Sequence, residues 1–105
     1  MHVIVAGTDD DEVGAAIDAE GHDVTAVDVA NRPALEEAGI HDAAAFVLTE
    51  MEQATSISIA KDLNADLRVL VYAPGSLPDF ARRQADIVVD PALLDPTTVA
   101  EELDQ

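Results

Sequence analysis

The sequence has no cysteine and no tryptophan, and only five of its 105 residues are lysine or arginine. The absence of cysteine excludes disulfide bonds, a thiolate nucleophile and cysteine-ligated zinc or iron–sulfur sites. Nucleic acid is not expected as a partner, because phosphates require a stripe of basic residues and only Arg82 and Arg83 are adjacent. No apolar run is long enough to cross a membrane and no basic leader segment is present. We therefore expect neither a signal peptide nor direct membrane insertion.

Negative charge is abundant instead. The chain has 22 Asp and Glu residues and a formal net charge of −17, yet 49% of its residues are hydrophobic. This hydrophobic content indicates a folded domain rather than a disordered acidic chain. A folded chain with so much like charge repels itself, and the repulsion is screened at molar salt. The composition is typical of cytoplasmic proteins of extreme halophiles, so we expect stability to increase with KCl concentration.

Apolar strand-like runs alternate with amphipathic segments along the whole chain. Strands are predicted over 3–6, 24–29, 45–49, 68–72 and 86–89. Helices are predicted from Val13 to a left-handed cap at Gly21, from Pro33 to Gly39, over 51–63, over 76–84 with Ser76 as N-cap, and over 97–103. This alternation predicts one α/β domain, residues 1–105, in three layers, with a parallel sheet between helices on both faces.

The loop after the first predicted strand is framed by Gly7 and Gly14 in the segment GTDDDEVG. A dinucleotide-binding loop, G-x-G-x-x-G, uses glycines to bring its backbone against a pyrophosphate at a helix N-terminus. Here the middle glycine is missing, the loop is longer and four acidic residues occupy it. Asp28 ends the second predicted strand, where an acidic residue can bind a ribose.

Together with the segments GHDVTAVD, LEEAGI, LRVLVYA and ADIVVDPALL, this loop resembles the TrkA-N domains that regulate potassium conductance. The resemblance implies a dimeric, non-catalytic regulatory domain that binds NAD or ATP and acts on a membrane-transporter subunit in trans. It also implies cofactor contacts at Gly7, Thr8, Gly14, Asp28 and Glu50. The acidic loop would repel a pyrophosphate, so we expect NAD binding to be weakened or lost.

The resemblance has a consequence for the sheet. TrkA-N domains have a further helix and strand between the positions of Asp28 and Leu35, where this chain has only a short turn. Removing that strand from the order 3-2-1-4-5-6 leaves five strands in the flavodoxin-like order 2-1-3-4-5.

Three alternatives to nucleotide binding remain open for the chain: cation binding, interaction without a ligand, and a receiver-like role. The acidic residues of the loop can cap the first helix, or Asp9, Asp10, Asp11 and Asp90 can bind a cation such as Mg²⁺ at the carboxyl ends of the strands. The chain can also be a homodimeric interaction scaffold that binds no ligand.

A response-regulator receiver is the third alternative, since it has a similar strand order. A receiver needs acidic residues after strand one, a phosphoacceptor Asp after strand three and a Lys after strand five. This chain has acidic residues after the first strand, but Glu50 and Asp90 stand at the other two positions.

Overall fold

The computed structural model describes residues 1–103. Its strands are β1 (His2–Ala6), β2 (Asp23–Val27), β3 (Ala45–Leu48), β4 (Arg68–Tyr72) and β5 (Ile87–Val89). Its α-helices are α1 (Val13–Ala19), α2 (Arg32–Glu37), α3 (Thr55–Leu63), α4 (Asp79–Arg82) and α5 (Pro96–Leu103). Two 3₁₀ turns, Ile40–Asp42 and Met51–Gln53, precede β3 and α3.

The five strands form one parallel sheet in the order β2-β1-β3-β4-β5. This confirms the predicted flavodoxin-like arrangement. The apolar runs are continuous because both faces of the sheet are covered: every residue of β3 is buried, as are all residues of β1 and β4 except the first.

Side chains alternate between two core layers. One layer packs Ile4, Phe46 and Val69 of the sheet against α2, α3 and α4. The other packs Val5 and Leu70 against α1 and α5. The carboxyl ends of all five strands lie at the same edge, so the loops after β1, β3 and β4 meet there.

The predicted helix boundaries differ from the structure by three or more residues at two places. The segment 51–63 divides into a 3₁₀ turn and α3, because Ala54 and Ile57 donate to the carbonyls three residues earlier rather than four. Ser76 does not cap a helix: α4 starts only at Asp79, directly after Pro78, whose φ is −59°. The positive φ predicted for Gly21 is confirmed at 93°.

Among the helices of residues 1–103, none has the length and apolar character needed to cross a membrane.

Candidate functional site

An open cleft of about 410 Å³ lies at the carboxyl edge of the sheet. It is formed by the loop after β1, the turn after β3 and the end of β4. Its lining residues are Thr8, Asp9, Asp10, Asp11, Thr49, Glu50, Met51, Glu52, Tyr72 and Pro74. The structure thus brings together Thr8, the three aspartates and Glu50 from the sequence-predicted set, while Gly7, Gly14, Asp28 and Asp90 are not part of the lining.

Gly7 allows the chain's own side chains to approach its backbone. Its φ is +102°, and a Cβ added there would lie 2.6 Å from Thr49 Oγ1 and 3.0 Å from Glu50 Cγ. The Thr49 hydroxyl is within hydrogen-bonding distance of two carbonyl oxygens of this loop, Ala6 O at 3.0 Å and Thr8 O at 2.8 Å. The space that a nucleotide-binding loop leaves for phosphate is therefore filled by Thr49 and Glu50.

The Glu50 carboxylate closes the same loop. Its Oε1 atom accepts a hydrogen bond from the backbone N–H of Thr8. Hydrogen bonds from Thr8, the backbone one first, hold the pKa of Glu50 below its ordinary value of 4.5. The Glu50 carboxylate thus accepts the hydrogen bond of the Thr8 N–H, which would otherwise be available to an anion in the cleft.

Asp9 caps helix α1. Its two carboxylate oxygens accept from the backbone N–H groups of Val13 and Gly14, both at 2.8 Å. A Cβ on Gly14 would lie 3.0 Å from Asp9 Oδ2, so this glycine leaves room for the cap. The capping alternative accounts for Asp9 and also explains Gly14 without a ligand.

The acidic residues that line the cleft do not form a metal-binding group, and Asp90 is not among them. Asp90 accepts from the N–H of Ala92 at 2.9 Å in the turn after β5, away from the cleft. Within residues 1–103, no three His, Asp or Glu side chains are grouped in a way that could hold a metal ion. Cation binding by Asp9, Asp10, Asp11 and Asp90 stays a prediction, and it would require side chains to move.

Asp28 follows the end of β2, and its backbone carbonyl is bound by Gln53. The side chain of Gln53 donates to Asp28 O at 2.8 Å and accepts from Ala30 N at 2.9 Å, which ties the turn after β2 to the 3₁₀ turn before α3. Sequence reasoning missed Gln53, since an amide in an amphipathic segment carries no signal of a contact 25 residues away.

Tyr72 is the second residue that sequence reasoning missed. It is buried at the end of β4, lines the cleft, and donates its hydroxyl to Leu94 O at 2.8 Å. Burial raises the pKa of Tyr72, and the negative charges of Asp11, Asp95 and Asp9 raise it further. The available signal was the position of the only tyrosine at a strand end facing the carboxyl edge.

With this geometry in view, the chain can be compared with known proteins. Residues 3–103 match the model of a family of unknown function, DUF7126, and the chain belongs to that family. No curated protein matches the sequence.

Solved structures with the same fold include several response regulators. An orphan response regulator of H. pylori superposes with a TM-score of 0.75 at 14% identity, covering 99% of this chain and 93% of that one. A CheY-like receiver domain of Methanospirillum hungatei gives 0.74 at 16% identity, covering 98% and 90%. An atypical orphan response regulator, described as having a phosphorylation-independent regulatory mechanism, gives 0.72 at 14% identity, covering 99% and 92%.

These findings correct the expected family. The resemblance to TrkA-N domains is wrong: the family is DUF7126 and the fold is that of receiver domains. The nucleotide-binding interpretation of Gly7, Thr8, Gly14, Asp28 and Glu50 loses its basis with it. The physical reason is that two glycines framing a loop have the same spacing whether they admit a phosphate or, as here, the side chains of Thr49, Glu50 and Asp9. The expectation of a transporter partner rested on the same resemblance.

Proposed function

We propose that this chain is a receiver-like signalling domain that works without accepting a phosphoryl group. The fold supports a receiver-like role, since the sheet has the fold of a CheY-like receiver domain, and the acidic cleft lies at the carboxyl edge, where open α/β sheets bind their ligands. The role is one of interaction with other proteins and requires no catalytic residue in the chain.

The observation that carries the proposal is the engagement of Glu50. It follows β3, where a receiver has its phosphoacceptor Asp, and its carboxylate already accepts the N–H of Thr8. Phosphorylation of this oxygen would break that hydrogen bond and bring a doubly negative group next to Asp9, Asp10 and Asp11. The Glu50 carboxylate therefore already places a negative charge against the loop after β1, the charge that a phosphoryl group would otherwise supply.

The position after β5 supports the same conclusion. A receiver has a lysine there, which neutralises the phosphoryl group, whereas this chain has Asp90. The only lysine, Lys61, lies in α3, donates to Leu67 O at 2.6 Å and is not part of the cleft lining. Among the residues that the structure describes, no positive side chain lines the cleft to balance added charge.

A phosphorylation assay tests the proposal. The purified chain is incubated with a small-molecule phosphoryl donor and Mg²⁺ in molar KCl, and its intact mass is measured. A receiver domain that accepts phosphoryl groups from the same donor is the positive control. We expect no phosphoryl adduct on this chain; an adduct mapped to a single Asp or Glu would contradict the proposal.

A further inference from the structure

Strand β5 is an exposed edge of the sheet. It pairs with β4, and no strand of residues 1–103 lies on its other side. An edge strand presents free backbone N–H and C=O groups, and proteins cover or disrupt such edges to avoid uncontrolled pairing.

Apolar side chains surround this edge. Val88 is 48% exposed, and Phe80 of α4 is 53% exposed. Ile87 and Val89 pack into the layer of α1 and α5, so the alternation of a strand directs Val88 to the opposite face, where α4 lies. Leu93, in the turn after β5, is 80% exposed. We call Phe80, Arg82, Arg83, Val88 and Leu93 the edge patch.

The charge around the edge patch differs from that of the rest of the chain. Segment 77–93, which contains the whole edge patch, has three aspartates and two arginines, so its net charge is −1 and the other residues carry −16. Arg82 donates to Leu77 O at 3.4 Å, and Arg83 forms no ion pair with any residue of 1–103. Two exposed arginines thus stand within six residues, along the chain, of the exposed side chains of Phe80 and Val88.

The opposite edge of the sheet provides a comparison. Strand β2 also pairs on one side only, and Val29 after it is 62% exposed. Segment 18–29, however, contains four acidic residues and neither lysine nor arginine. Two copies meeting at β2 would bring like charges together, whereas two copies meeting at β5 would not.

We propose that the edge patch is the surface through which two copies of this chain form a dimer. In a two-fold symmetric contact the same surface meets itself, so a surface that contains both signs of charge can be self-complementary. Asp79 and Asp86 of one copy are then available to Arg82 and Arg83 of the other, around a centre of Phe80, Val88 and Leu93. The proposal deepens the proposed function, because it names the partner of a domain that acts by interaction.

The test is the oligomeric state of the full chain, measured by sedimentation equilibrium from low to molar KCl. We expect a dimer whose dissociation constant falls as KCl rises, because salt screens repulsion between the acidic remainders of the two copies. Phe80→Ser combined with Leu93→Ser should raise the dissociation constant about tenfold or more. Val29→Ser, which removes an exposed apolar side chain at the other edge, is the control and should leave it unchanged.

A charge pair separates this surface from a general effect of net charge. Arg83→Glu and Arg32→Glu change the net charge equally, but Arg32 lies on α2 and pairs with Asp62 at 3.5 Å. Arg83→Glu should weaken the dimer and Arg32→Glu should not. Circular dichroism verifies that each variant is folded.

Two results would overturn the proposal: a wild-type chain that is monomeric at every KCl concentration, or a dimer that the Phe80, Leu93 and Arg83 variants leave intact. The first would assign the edge patch to a different protein. The two proposals can fail separately. A monomer that accepts no phosphoryl group would contradict only the dimer. A dimer that accepts a phosphoryl group would contradict only the phosphorylation-independent role.

Discussion

Thr49 and Glu50 fill, from within the chain, the space that Gly7 leaves against the loop backbone. The Thr49 hydroxyl lies within hydrogen-bonding distance of two carbonyls, and the Glu50 carboxylate accepts an N–H, so the loop's polar groups are paired without a ligand. A pair of residues after β3 thereby determines the conformation of the loop after β1.

Gly7→Ala is expected to destabilise the fold, by about 1–3 kcal/mol from backbone strain and by more once the contact with Thr49 is included. Urea unfolding at constant KCl measures the change. Gly21→Ala is the matched control: its φ is also positive, at +93°, but an added Cβ would meet nothing within 4 Å. Equal losses in the two variants would show that the approach of Thr49 contributes nothing.

Glu50→Gln is expected to change how stability depends on pH. The pKa of Glu50 is lowered in the folded state, so its ionised form contributes stability above the ordinary value of 4.5, and this contribution is lost as pH falls through the lowered pKa. The wild type should exceed the variant in stability at neutral pH, and the gap should close in acid. Unfolding curves across this pH range measure it.

Glu52→Gln is the control for that experiment. It removes the same charge from an exposed carboxylate that lines the same cleft and accepts no hydrogen bond from residues 1–103. A gap between wild type and Glu50→Gln that stays constant with pH would contradict the role given to the Thr8 contact.

At the scale of elements, the start of α1 explains much of the acidic loop. The residue directly before the helix, Glu12, has a φ of 58° and makes no capping hydrogen bond with its side chain. Asp9 supplies the cap from further back and satisfies two N–H groups that a short helix would otherwise leave unpaired. Asp9 is therefore a structural residue of the loop, and this cap does not involve the neighbouring acidic residues.

Asp9→Ala is expected to destabilise the protein by about 1–2 kcal/mol, the usual cost of removing a helix cap. Asp10→Ala removes the same charge from an exposed side chain for which no hydrogen bond is seen within residues 1–103, and should leave stability unchanged or slightly raised. Thermal unfolding of both variants in the same buffer decides between a cap and a general charge effect. Similar losses would contradict the capping role.

At the scale of the whole molecule, the net charge opposes folding. With 22 acidic and five basic side chains, most carboxylates cannot have a positive partner, and the ion pairs that form are exposed or partly exposed. Such pairs contribute little to stability. The apolar layers on both faces of the sheet must therefore hold the fold against repulsion among the surface carboxylates.

The melting temperature is expected to rise by about 5 °C or more between dilute buffer and molar KCl, which corresponds to roughly 1 kcal/mol in a domain of this size. The Debye length falls to about 3 Å at 1 M salt, which screens the repulsion between surface carboxylates. NaCl at equal concentration is the control and should act similarly. A melting temperature that does not change with salt would contradict the prediction.

Most of the architecture could be predicted from the sequence, because only a few folds can bury continuous apolar runs that alternate with amphipathic segments. The five strands, their parallel pairing and their order are confirmed. The site could be predicted only in part. The sequence predicts that Thr8 and Glu50 lie at the carboxyl edge as ligand contacts, whereas in the structure they bind each other. Gln53 and Tyr72 are not predicted at all, because these contacts join residues 22 to 42 positions apart.

Charge, the periodicity of apolar residues and the loop glycines are properties of the sequence itself, and they sufficed for the fold class and for an expected dependence on salt. What occupies the space beside Gly7 was decided only by the tertiary structure, since a glycine permits close approach without specifying what approaches. Packing of the turn after β3 against the loop after β1 puts Thr49 and Glu50 there, so the loop pairs its polar groups internally at the place where a dinucleotide-binding loop would hold phosphate.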